Sequence, residues 1–142
     1  MAIRVAFVCT GNSCRSQMAE GWARTLAGDK WEVYSAGLEA HGVNPRAIKV
    51  MAEAGVDISG QTSKTLDLDR YSQQQVIITL CGDANERCPI VPPTALVRQH
   101  WDLPDPAKAT GTEEEIMAQF RAVRDEIRRR VANLLDELGE QA

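Results

Sequence analysis

Apolar residues recur along this chain at two alternating spacings. Ile3–Cys9 is a short apolar run with valines, the pattern of a buried parallel strand. Met18, Ala19, Trp22, Ala23 and Leu26 then return at helical spacing, and Gly28 and Asp29 end that helix. Trp31–Ser35 alternates apolar with polar and suits a strand nearer the sheet edge. Asn44-Pro45 opens a second helix with proline at its favoured first position; Ala47, Ile48, Met51 and Ala54 supply its inner face and Gly55 stops it. Val76–Leu80 is the clearest central strand, and Ala95–Val97, reaching towards Trp101, is a weaker one. Thr112 and Glu115 form a capping box for one long amphipathic helix, marked by apolar residues from Ile116 to Leu138.

Alternating βα units predict a four-stranded parallel sheet with helices on both faces, a three-layer α/β architecture. With 142 residues and no linker, repeat or low-complexity segment, the chain reads as a single domain, residues 1–142. Ligands of such sheets bind at the carboxyl ends of the strands. Cys9 ends the first strand and Cys81 follows Val76–Leu80, so both thiols are expected on one rim.

Composition narrows the partners. A hydrophobic share of 44%, 25% charged residues and a net charge of −4 describe an ordinary globular protein with no affinity for nucleic acid or an anionic membrane. Arg128-Arg129-Arg130 reads as a solvated helix face. No apolar stretch approaches the ~20 residues that span a bilayer. The apolar run at the N-terminus is too short for a secretory signal, so a cytoplasmic location and a monomer are expected. The four cysteines, Cys9, Cys14, Cys81 and Cys88, then read as chemistry rather than staples. Their spacings do not match zinc ligand pairs, and His41 and His100 stand apart from them, so no metal is expected.

The most informative local pattern is Cys9-Thr-Gly-Asn-Ser-Cys-Arg15-Ser16, set where the first strand turns into the first helix. Backbone N–H groups of such a loop converge on a tetrahedral anion, helped by the positive end of the helix. The Arg15 guanidinium grips two oxyanion oxygens, and the same field favours a thiolate at Cys9. Thr10, Gly11, Asn12, Ser13, Cys14, Arg15 and Ser16 are thus the candidate oxyanion-binding residues.

Across nearly its whole length the chain resembles the thioredoxin-coupled arsenate reductases, which share the fold of low-molecular-weight protein tyrosine phosphatases. The resemblance rests on Cys9–Gly21, Tyr34–Gly37, His41–Pro45, Thr79–Asp83, Cys88-Pro89 and Asp105–Ala107. It implies that Cys9 attacks arsenate, for which phosphate and sulfate are mimics. Arg15 and the loop amides hold the anion, Ser16 donates to the Cys9 sulfur, Asn12 braces the loop and Asp105 is the general acid. It further implies a Cys9–Cys81 disulfide, then a Cys81–Cys88 disulfide, reduced by thioredoxin as external donor, with no bound cofactor and a role in arsenic detoxification. Residual phosphatase activity is expected, because arsenate and phosphate share shape and charge.

Three thiols suit this chemistry: two supply the two electrons that As(V) needs, and the third moves the oxidation to where a protein can reach it. A helical seven-residue step spans ~10.5 Å, whereas a disulfide needs Cα atoms roughly 4.4–6.8 Å apart. Any helix over Gly82–Arg87 must therefore unwind when Cys81 and Cys88 join.

Relatives that bind potassium beside the loop use Asn, Glu, Ser and Asp side chains. Asn12, Glu20 and Ser35 match three of these, but Lys64 stands where the aspartate belongs, so potassium should do little here. Asp102 rivals Asp105 as the acid, and Cys14, His41, His100, Trp22 and Trp101 read as structural. A phosphatase acting on phosphotyrosine or small phosphate esters is the rival enzyme reading. A thiol redox sensor or oxyanion-binding module is the non-enzymatic one, but it leaves Arg15 and Asp105 without a purpose.

Overall fold

The computed structural model describes residues 2–80 and 95–140. Strands β1 (Ile3–Cys9), β2 (Trp31–Gly37), β3 (Val76–Thr79) and β4 (Val97–His100) form one parallel sheet in the order β2-β1-β3-β4. β1 is therefore interior, and its last residue, Cys9, pairs with Gly37. Val5, Phe7, Val33 and Ile78 pack under α1 (Arg15–Ala27) and α4 (Glu113–Glu140), with α2 (Pro45–Glu53) beside them. On the opposite face Ala6, Val8, Tyr34, Ala36 and Ile77 pack against Tyr71 of a short helix, α3 (Leu68–Ser72).

The helix signals act as read. Asn44 caps α2 by accepting from the N–H groups of Arg46 and Ala47, with Pro45 in the first turn. Gly28 ends α1 and Gly55 follows α2, each at positive φ, which glycine adopts at little cost. The Thr112 hydroxyl accepts from Glu115 N at 3.1 Å and the Glu115 carboxylate returns to Thr112, closing the capping box. Trp22 and Trp101 are core residues.

Three elements differ from the pattern reading. β2 runs two residues beyond Ser35 and is buried nearly throughout, because its lateral position does not leave either face open. β4 starts at Val97, not Ala95, which instead packs into the second core cluster. α3 escapes the hydrophobic pattern: five residues are too few to show a period, and Asp67 starts it by capping Asp69 and Arg70. Cys81, Cys88 and the Gly82–Arg87 segment lie outside the described residues.

Candidate active site

Cys9 is buried at the carboxyl end of β1, and the chain then loops around a cavity of about 340 Å³ before α1 begins at Arg15. Thr10, Gly11, Ser13, Cys14 and Arg15 line that cavity with Cys9, and His41, Asp105, Ala107 and Lys108 complete its wall. Asn12 and Ser16 do not line it; both are fully buried behind the loop. Their side chains support the anion site rather than touch the anion.

The loop is shaped from outside by its carbonyls. Thr10 O accepts from Glu39 N at 2.9 Å, Gly11 O from His41 N at 3.0 Å, and Ser13 O from Asn44 N at 3.1 Å. Asn12 O accepts from Gln17 Nε2 at 3.1 Å. In a trans peptide the N–H opposes the C=O. Holding four successive carbonyls outward therefore turns the amides of Gly11, Asn12, Ser13 and Cys14 towards the cavity. The segment from Gly37 to Asn44 is the strap that does most of this. Gly37 leaves no room for a side chain, since a Cβ there would lie 2.7 Å from Thr10 O and 2.8 Å from Asn12 N.

A directed hydrogen-bond chain reaches Cys9 from behind. Asn12 sits at φ 46°, a left-handed conformation that asparagine tolerates. Its Oδ1 accepts from Lys64 N at 2.9 Å, which fixes the amide orientation and leaves Nδ2 to donate to Ser16 Oγ at 2.8 Å and Ser35 Oγ at 3.1 Å. Ser35 Oγ in turn donates to Glu20 Oε1 at 2.5 Å. Ser16 accepts from Asn12, so its hydroxyl proton is left for the Cys9 sulfur 2.9 Å away.

Arg15 is buried, and its Nη1 donates to Leu103 O at 2.9 Å while Nη2 lies 3.7 Å from Asp105 Oδ2. These contacts hold the guanidinium at the cavity wall before an anion arrives. Asp105 caps a short turn of 3₁₀ helix at Pro106–Lys108, accepting from Ala107 N at 3.0 Å, and so keeps a carboxyl oxygen at the cavity. Asp102 is exposed and does not line it. Cys14 lines the cavity, yet burial first, then the Asp105 carboxylate, push its thiol up to about 12. It stays protonated, consistent with a packing role.

Beside the loop, Glu20 also accepts from Arg24 Nε at 2.9 Å. The Lys64 ammonium stands in the same neighbourhood: burial holds it below the usual lysine value, and the Glu20 carboxylate partly offsets that. Lys64 Nζ donates to Thr62 O at 3.3 Å. His100 is structural, with Nδ1 2.7 Å from Thr79 Oγ1. His41 is more than that, since it lines the cavity. The strap, Gln17 and His41 carry no signal in spacing or periodicity. They reach the loop across 5 to about 30 residues of sequence, and only the fold brings them there.

Attack by a thiol on a tetrahedral oxyanion requires a nucleophile held under an anion cradle, with an acid within reach of the departing oxygen. The first βα turn of this sheet provides that arrangement, which is the design of phosphatase-type thiol enzymes. The chain belongs to the low molecular weight phosphotyrosine protein phosphatase family, whose profile matches residues 4–142. Over 136 residues, 96% of each chain, it is 58% identical to an arsenate reductase of Bacillus licheniformis. An arsenate reductase solved in the phosphate binding state superposes with a TM-score of 0.81 at 41% identity, over 95% of this chain and 98% of that one. A thioredoxin-dependent arsenate reductase of Corynebacterium glutamicum superposes with a TM-score of 0.77 at 27% identity, over 99% of this chain and 64% of that one.

Proposed function

We propose that this protein reduces arsenate to arsenite by a three-cysteine relay and is returned to its reduced form by thioredoxin. The observation that carries the reading is the cradle itself, with Cys9 under an anion loop, Ser16 on its sulfur and Arg15 at the wall, in a chain 58% identical to an arsenate reductase. Thioredoxin as donor is supported by the Corynebacterium relative, which is thioredoxin-dependent.

The Cys9 thiolate attacks arsenic, forming an S–As bond, while Asp105 protonates the oxygen that leaves as water. The Cys81 thiolate then attacks the Cys9 sulfur. The S–As bonding pair stays with arsenic, which departs as arsenite, and a Cys9–Cys81 disulfide remains. Cys88 attacks Cys81 and frees the Cys9 thiolate. The thioredoxin dithiol reduces Cys81–Cys88 and is itself oxidised, so two electrons pass from thioredoxin to arsenic. Described residues at the exit of β3 favour this geometry: Leu80, the residue before Cys81, donates its N–H to Val8 O, next to Cys9. A thioredoxin partner places the enzyme in a reducing compartment, the cytoplasm. No helix among the described residues is long and apolar enough to cross a membrane.

Arsenate-dependent NADPH oxidation with thioredoxin and thioredoxin reductase tests the proposal. Cys81→Ser and Cys88→Ser should stop turnover but spare slow hydrolysis of an aryl phosphate, and Cys9→Ser should abolish both. The family's name favours a second reading, a phosphatase. Aryl phosphate hydrolysis with no arsenate-dependent NADPH oxidation would establish it instead.

A further inference from the structure

We infer that the His41 ring is a specificity-determining wall of the anion cavity, one that admits a bare tetrahedral oxyanion and holds off its bulky esters. This rests on the oxyanion-site reading of the Cys9 loop but not on arsenate turnover.

The ring is fixed at three points. Its backbone N–H donates to Gly11 O, and two residues earlier Glu39 N donates to Thr10 O, so the strap cannot move without releasing the anion loop. Its Nε2 lies 2.6 Å from Glu39 Oε2. Its inner edge occupies the space beside Gly11, where a Cβ would lie 2.4 Å from Nδ1 and 3.0 Å from Cε1 and Cγ. The missing side chain of Gly11 is thus filled by the imidazole. The imidazole, about half exposed, stands beside Gly11 as part of the wall that also includes Asp105, Ala107 and Lys108.

Two consequences separate small from large ligands. The loop amides and Arg15 suffice to hold a tetrahedral anion without the ring. An ester substituent, opposite the attacking Cys9 sulfur, has to point out of the cavity that His41 helps to wall. Its passage requires the ring to swing, and swinging breaks the Nε2–Glu39 hydrogen bond. Among the described residues no Phe, Tyr or Trp lines the cavity to repay that cost by stacking. Discrimination of this kind acts by obstruction of the wrong ligand rather than by added contacts to the right one.

Calorimetric titration of the reduced, full-length protein with inorganic phosphate and with phenylphosphonate measures the effect without relying on turnover. His41→Ala should tighten phenylphosphonate about fivefold to tenfold and leave phosphate within twofold. Glu39→Ala, which removes the ring's hydrogen-bond partner and keeps the ring, should give a smaller change in the same direction. His41→Phe cannot bond Glu39 and brings an aromatic face to the mouth, so it should lose most of the selectivity. Equal weakening of both ligands in His41→Ala would show a role in shaping the loop only, and unchanged phenylphosphonate binding would show an open mouth. Weaker phenylphosphonate binding would make the ring a platform. Each of these three results overturns the inference. Absence of arsenate-dependent NADPH oxidation in the wild type would overturn the arsenate reading while leaving these titrations to stand or fall separately.

Discussion

The reactive sulfur depends on a hydrogen atom whose direction is set several bonds away. Ser16 can point its proton at Cys9 because Asn12 already donates to its oxygen, and Asn12 is oriented by the Lys64 backbone and Gln17. A hydrogen bond to a charged group contributes about 1.5–3 kcal/mol. Ser16→Ala should therefore slow alkylation of Cys9 by iodoacetamide at neutral pH by roughly tenfold to a hundredfold, and mass mapping of the modified peptide checks it. Cys14 should stay unmodified in the same reaction, since its thiol is pushed up to about 12. Lys64 gives a second prediction at this scale. Its ammonium stands near Glu20, so an added monovalent cation meets a like charge. Exchange of sodium for potassium at constant ionic strength should change kcat/KM by less than about twofold, in keeping with the small effect of screened charges. A large rise with potassium would overturn this account of Lys64.

Among the elements, the long α4 buries an apolar face, with Phe120, Ile127, Val131 and Leu134 in the main core, and exposed ion pairs border that contact. Arg121 and Arg124 reach Glu53 of α2, and Arg46 of α2 reaches Glu113. Such pairs add little individually. Within α4, Glu126 accepts from both Arg129 and Arg130, and these hydrogen bonds lower its carboxyl to about 2. A carboxyl depressed in the folded state stabilises it above the unfolded pKa of ~4.3 and loses that contribution as pH falls towards the folded value. Solvent screening limits the contribution to about 0.5–1 kcal/mol. Glu126→Gln should thus lower the melting temperature by roughly 1–4 °C at pH 7, and the difference should shrink as pH drops from about 4 towards 2. A constant difference across that range would remove the ion pair as its cause. The strap between β2 and α2 matters more than its lack of regular structure suggests. It shapes the anion site by donating to the loop's carbonyls at Thr10, Gly11 and Ser13.

For the whole molecule, the sheet order places the reactive cysteine at an interior strand end, walled by the loop, the strap and the Asp105 turn. An anion bound there stabilises only the folded state. Phosphate at about a hundred times its Kd should add about 2.7 kcal/mol, a rise of roughly 5–10 °C in Tm for a domain of this size. Arg15→Lys should abolish most of that rise, because an ammonium cannot reproduce the planar fork held between Leu103 O and Asp105. Thermal unfolding of wild type and variant with and without phosphate decides it. An equal rise in both would place the anion elsewhere.

Chemistry that is local in the chain can be read from the order of its residues. The Cys9–Arg15 spacing, the valine-rich strand before it and the helix after it lie within one short stretch, so backbone propensity and periodicity suffice to define a thiol at an anion loop. The caps at Asn44 and Thr112 and the interior place of β1 and β3 were legible for the same reason, because each rests on neighbours in sequence. What the tertiary structure decided is everything that acts on the loop from a distance. The strap that turns its amides inward and the His41 wall join separate elements, as do the Glu20–Ser35–Asn12–Ser16 chain and the placing of Asp105 at the cavity, of which only the family resemblance gave notice. Hydrogen bonds and steric contacts act over a few ångströms and leave no period in a sequence, so they can be read only when the fold has brought their partners together.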